Sequence, residues 1–142
     1  MADAVRFEVL EPKLDSLARC IDRVQSKLPF TEERLRSDAD LQDVVSVNLE
    51  RCVQLCVDVA AVVISHSQAA VPTTMAECFD ALRALGWVDA ETALRMRKAV
   101  GFRNIAVHEY EKVDWTIVHR IATRHLDDFR KFAVQVVARA KS

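Results

Sequence analysis

The sequence predicts an all-α domain, an up-and-down bundle of about five helices, and three observations lead there. Glycine and proline are scarce, two and three among 142 residues, so tight turns have few residues to build them and long elements are expected. Apolar residues make up 51% of the chain and recur at spacings of three and four, the period of a helix that buries one face. Aspartate or threonine stands just ahead of most of these stripes, where a side-chain oxygen can accept from free N–H groups of a first turn. The length suits a single domain over residues 1–142, large enough to bury a core without disulfides or metal.

The elements follow in order. From about Val5 to Lys27, the stripe Leu10, Leu14, Leu17, Ile21, Val24 and Leu28 defines a first helix that Pro29 closes. Phe30 to Ser37 suits a brief helical turn, with Thr31 ahead of Glu32 and Glu33. Asp38 or Asp40 can cap a second helix reaching about Ser67, apolar nearly all round in its second half and therefore the most buried element. Asn48, Arg51, Gln54 and Asp58 form its polar line; such a line is ordinarily an exposed face, and Asp58, set among apolar neighbours, is the candidate to support a site. His66 near its end suits a partner for the helix dipole.

Val71-Pro72-Thr73-Thr74 stops and restarts the chain, with Thr74 and Glu77 forming a capping box. A short helix ends at Leu85, Gly86 takes the left-handed closing position, and Trp87 and Val88 pack the turn. Asp89 caps a fourth helix through Ala93, Leu94, Met96, Val100 and Ile105, and Asp114 caps a last one from Trp115 to about Ala140.

Bulk properties narrow the function. The formal net charge is −1, against a protein that grips nucleic acid by charge alone, yet residues 91–142 hold 11 Lys and Arg against 6 Asp and Glu. Cys20, Cys52, Cys56 and Cys78 form no C-x-x-C pair, which fits reduced thiols in a cytoplasmic setting. No stretch reads as a signal peptide or a membrane span. The histidines, His66, His108, His119 and His125, include no i, i+4 pair, so no metal site is expected; no Walker or Rossmann glycine pattern calls for a nucleotide, and no cofactor is expected.

Chemistry concentrates in residues 103–110, Arg-Asn-Ile-Ala-Val-His-Glu-Tyr, held between the apolar Val100, Phe102, Ile105 and Val107. Tyr110 is the only tyrosine. The arginine fork of Arg103 can bind a phosphate and stabilise charge building on its oxygens. His108 can take the proton from a ribose 2′-hydroxyl or return one to the leaving oxygen. That pairing suits RNA cleavage without metal. On one helix, however, Arg103 and His108 lie about 140° apart. Either the helix ends between Val107 and Tyr110, or a second copy completes the site.

Arg103-Asn104-x-x-x-His108-x-Tyr110 resembles the R-x4-H-x-Y motif of the HepT toxins of HepT/MNT toxin-antitoxin modules, within the HEPN superfamily of helical ribonucleases. The order of elements resembles that family from about residue 8 to 135, including Val57-Asp58-Val59-Ala60 in the apolar helix, Pro72, the Gly86 turn and Val113-Asp114. The resemblance implies a HEPN-like homodimer whose two motifs face one cleft, with Arg103 and His108 as a composite site and Asn104 orienting RNA or the histidine. It implies a ribonuclease acting on transfer RNA or messenger RNA, restrained by an MNT-type nucleotidyltransferase antitoxin that attaches AMP to Tyr110. Glu109, beside the phosphate path, is a neighbour the motif leaves free. Two other readings stand beside this one: a non-catalytic homodimer that binds a nucleotidyltransferase or nucleic acid, and a chain that serves mainly as a substrate for nucleotide transfer.

Overall fold

The computed structural model describes residues 5–108 and 113–142, with side chains for 5–105 and 113–142. The described residues form seven helices: α1 (Phe7–Gln25), α2 (Glu32–Ser37), α3 (Ala39–Ser65), α4 (Met75–Ala84), α5 (Ala90–His108), α6 (Trp115–Arg124) and α7 (Leu126–Ala140). The all-α bundle is as the sequence predicts. The expected count of about five rises to seven for two local reasons. The turn after Pro29 is a six-residue helix, with Thr31 Oγ1 accepting from the Arg34 N–H at 3.0 Å. The last helix is broken at His125, which leaves the helical region at φ −122° and ψ 9°. Two residues earlier, the Thr123 hydroxyl donates back to the His119 carbonyl, a bond that tends to bend helices.

α3 is the mast of the bundle and packs against every other helix. Leu41, Val45, Leu49, Cys52, Cys56, Ala60 and Val63 are buried along it at steps of three and four. Each fully buried Val or Leu contributes roughly 1.5–3 kcal/mol relative to leaving it exposed. Asn48, read from the sequence as part of a polar line, is itself buried; its amide donates to the Val44 carbonyl at 2.7 Å, so the burial leaves that donor satisfied. The expected caps are in place. Asp38, rather than Asp40, accepts from Leu41 N–H at 3.0 Å. Thr74 accepts from Glu77 N–H, while the Glu77 carboxylate reaches back to the N–H and hydroxyl of Thr73. Gly86 sits at φ 81°, in the left-handed region that a β-carbon disfavours. The His66 ring lies 2.9 Å from the Val62 carbonyl at the end of α3.

Two further sets of contacts fix the helices that flank the motif. α5 runs antiparallel to α7: at one end Gln135 accepts from Asp89 N–H and donates to Asp89 and Thr92, and further along Arg95 faces Asp128 at 3.7 Å. α6 is held near its start, where Arg36 donates to the Thr116 hydroxyl, and at His119, whose Nε2 lies 3.0 Å from the Phe30 carbonyl. Beneath both, Phe132 is fully buried and meets Phe79 edge to face at 5.8 Å. The chain thus enters residues 103–110 from one anchored helix and leaves toward another.

Candidate active site

The site is built on the end of α5. Asp89 caps the helix, its carboxylate accepting from Thr92 N–H at 2.7 Å; that bond and those from the Thr92 and Gln135 side chains hold it below the usual aspartate range. Ala93, Met96 and Val100 then turn inward at steps of three and four. Arg103 is the next step on the same stripe. A cation therefore occupies a position that helical geometry assigns to the core. Its Nε is buried, and among the described residues it has no hydrogen-bond partner and no carboxylate pairs with it. Buried polar atoms without partners are uncommon and ask for an explanation. An anion or a water molecule from outside the fold can meet this donor.

Asn104, the next residue, is exposed. Positions 97, 101, 104 and 108 fall on one face at steps of four, three and four, and Arg97, Gly101 and Asn104 are all exposed there. Gly101 has a negative φ, and among the described residues a β-carbon placed on it would meet no atom within 4 Å beyond its chain neighbours and its own helix backbone. Neither a turn nor packing requires glycine at this helical position, where it costs about 0.5–1 kcal/mol relative to alanine.

α5 continues from Arg103 to His108 without interruption, so the roughly 140° between the two positions stands, with a rise of roughly 7.5 Å. The helix has not ended by Val107. Tyr110 lies outside the described residues, as do Glu109, Glu111 and Lys112. Asp58 is half-buried on α3 and accepts from Gln54 Nε2 at 2.9 Å. No hydrogen bond or ion pair joins it to Arg103. The structure therefore brings Arg103 and Asn104 to one helix end and leaves Asp58 engaged within α3.

A second feature adjoins this helix end and was not legible in the sequence. A cavity of about 470 Å³ opens between α5, α6 and α7. Phe102 and Ile105, the neighbours of Arg103 and Asn104, form part of its wall, and Lys98, Gly101 and Arg120 also line it. Among the described residues no group of three or more His, Cys, Asp or Glu is placed to hold a metal ion.

Residues 17–136 match the family described as Ribonuclease HepT-like. The chain belongs to the HepT-like ribonuclease family. Among curated proteins it is similar to the mRNA nuclease HepT of Shewanella oneidensis, 31% identical over 125 residues that cover 88% of this chain and 93% of that protein. Among solved structures it resembles the tri-AMPylated Shewanella oneidensis HEPN toxin in complex with MNT antitoxin. There the identity is 31% and the TM-score 0.84, over 92% of this chain and 97% of that one. A toxin-antitoxin crystal structure with AMP-PNP matches at 30% identity and a TM-score of 0.81, over 90% and 97% of the two chains. The cytosolic protein YutE of Bacillus subtilis, only 12% identical, shares the fold at a TM-score of 0.82 over 94% and 90%. The similarity to the HEPN toxin covers 92% of this HepT-like chain, and the family match, over residues 17–136, takes in the end of α5 that carries the motif. Among the described residues no helix is long and apolar enough to cross a membrane.

Proposed function

We propose that this chain is the toxin of a HEPN/MNT toxin-antitoxin pair, an endoribonuclease that cuts RNA by attack of the ribose 2′-hydroxyl. The observation that carries the reading is Arg103: a guanidinium on the buried stripe of α5, its Nε left without a partner among the described residues. Arg103 binds the scissile phosphate and stabilises the negative charge that grows on its oxygens during attack. His108 removes the 2′-hydroxyl proton or protonates the departing 5′-oxygen, contributing roughly 10²- to 10⁴-fold. The products are a 2′,3′-cyclic phosphate and a 5′-hydroxyl. Asn104, exposed one residue beyond the arginine, orients RNA or the histidine, while Asp58, engaged by Gln54 within α3, takes no part.

One α5 cannot turn both groups onto the same phosphate. A homodimer removes the conflict, since a two-fold axis brings the Arg103 of one protomer toward the His108 of its partner. The substrate is messenger or transfer RNA; the named mRNA nuclease among the relatives favours the former. The antitoxin is an MNT-type nucleotidyltransferase, and the AMPylated toxin among the similar structures supports Tyr110 as the modified residue. AMP attached two residues from His108 would add negative charge and bulk where the RNA phosphate must enter. Four free cysteines among the buried residues suit a reducing, cytoplasmic setting.

The test is cleavage of total RNA in chelator by wild type and His108→Ala, with end analysis for 2′,3′-cyclic phosphates. Wild type is expected to cut and the variant to lose nearly all activity; equal cleavage by both would remove the assignment. Coexpression with the adjacent transferase should add AMP units to the intact mass of wild type and none to Tyr110→Phe.

A further inference from the structure

The cavity between α5, α6 and α7 has apolar walls and a cationic mouth. Phe102, Ile105, Ile117 and Phe129 supply the walls. Its volume, about 470 Å³, falls within the range of small-ligand pockets and exceeds what one nucleobase needs. The carboxylate on its lining, Asp128, is already engaged, 3.2 Å from the His125 ring and 3.7 Å from Arg95. Lys98 and Arg120 are exposed at the lining and pair with no carboxylate among the described residues. Positive charge there is left over after the fold has balanced its own.

Gly101 is the second, independent observation. It lines the same cavity from a helical position where glycine serves neither a turn nor a neighbour. Glycine at such a place allows another molecule close to the backbone.

We infer that this cavity is a nucleotide subsite, which takes the base of an unpaired RNA residue beside the scissile phosphate while Lys98 and Arg120 hold the flanking phosphates. The inference rests on the reading that the chain acts on RNA. Apolar walls accept any base through its π-face, and paired cations track a backbone, the combination that single-strand binding uses. Phe102 and Ile105 join the subsite to the motif, being the residues on either side of Arg103 and Asn104. A second copy of the chain is a poorer fit. A partner seated on the cavity would cover two unpaired cations, Lys98 and Arg120, and interface cores are depleted of charge.

Binding is measured by fluorescence anisotropy with a short labelled single-stranded oligoribonucleotide, in a His108→Ala background that leaves the RNA uncut. Gly101→Leu, whose side chain meets no neighbour of the fold at its first atom, fills the mouth; circular dichroism and light scattering check its fold and oligomeric state. It is expected to remain folded, keep the parent's oligomeric state, and bind about ten- to a hundredfold more weakly. Lys98→Gln with Arg120→Gln leaves the walls intact and should flatten the dependence of log affinity on log salt by about 0.7 per cation lost. Unchanged affinity in Gly101→Leu, an unchanged salt slope in the double variant, or a loss of dimer in Gly101→Leu overturns the subsite. Cleavage by otherwise wild-type protein is scored separately. Cleavage by wild type with unaltered binding in Gly101→Leu removes the subsite alone, whereas no cleavage by wild type with weakened binding in Gly101→Leu removes the catalytic reading alone.

Discussion

Replacing Arg103 by methionine should make the protein more stable and nearly inactive. The guanidinium lies on the stripe that buries Met96 and Val100, and its Nε is a buried donor without an acceptor among the described residues. Leaving such a donor unmet costs about 1–3 kcal/mol, and the lower end applies because the residue as a whole is only half-buried. Methionine keeps the apolar stem and removes the unmet donor, so a gain of about 1 kcal/mol is expected. For a chain of this length that raises Tm by about 3–4 °C. The loss of a phosphate-binding fork should lower kcat by about 10²- to 10³-fold. Arg103→Lys should recover part of the activity and little of the stability, since a point charge replaces a planar fork at the same place. Scanning calorimetry and cleavage of a labelled RNA read the two quantities. A fall in Tm for Arg103→Met, with cleavage retained, would show that Arg103 holds the fold together and would refute its role toward phosphate.

Other consequences are simpler to state. Phe132→Ala removes a fully buried ring that meets Phe79 edge to face and should cost about 3–5 kcal/mol in urea unfolding, a large share of the stability of any small domain. Asp89 is held below the usual aspartate range by its bonds to Thr92 and Gln135, so its contribution is present above about pH 4 and lost as pH falls through its lowered value. Asp89→Asn keeps a competent cap without the titration, so unfolding measured from pH 6 to pH 3 should show a shallower acid-side loss than wild type. Burial pushes the Cys52 and Cys56 thiols far up, and Cys78 up as well, so iodoacetamide at about pH 8 should leave these three unmodified in the native protein and label them after denaturation.

Much of the fold could be read before any coordinates, because its signals are local. Thr31, Asp38, Thr74, Asp89 and Asp114 each announce a helix start within three residues of the N–H groups they cap. Gly86 announces an end by backbone freedom alone. The break at His125 was hidden because Val118, Ala122, Leu126 and Phe129 continue one stripe through it, and a stripe reports burial rather than continuity. The inward placement of Arg103 follows from counting on from Met96 and Val100, but its unmet Nε depends on what surrounds it. The cavity was least legible. Its cations stand on α5 and α6, twenty-two positions apart in Lys98 and Arg120, and only the packing of three helices brings them to one mouth. The excess of basic residues after position 90 and a lone helical glycine were its traces in the sequence.

The composite character of the site is tested most directly by mixing two inactive dimers. Arg103→Ala and His108→Ala proteins are each expected to be inactive. Unfolded together and refolded, about half of the dimers should be mixed, and each mixed dimer then holds one intact pairing of the Arg103 of one protomer with the His108 of its partner. Cleavage should return to roughly a quarter of the wild-type rate. If mixed dimers form, as mass spectrometry can verify, and cleavage does not return, Arg103 and His108 do not act across the dimer.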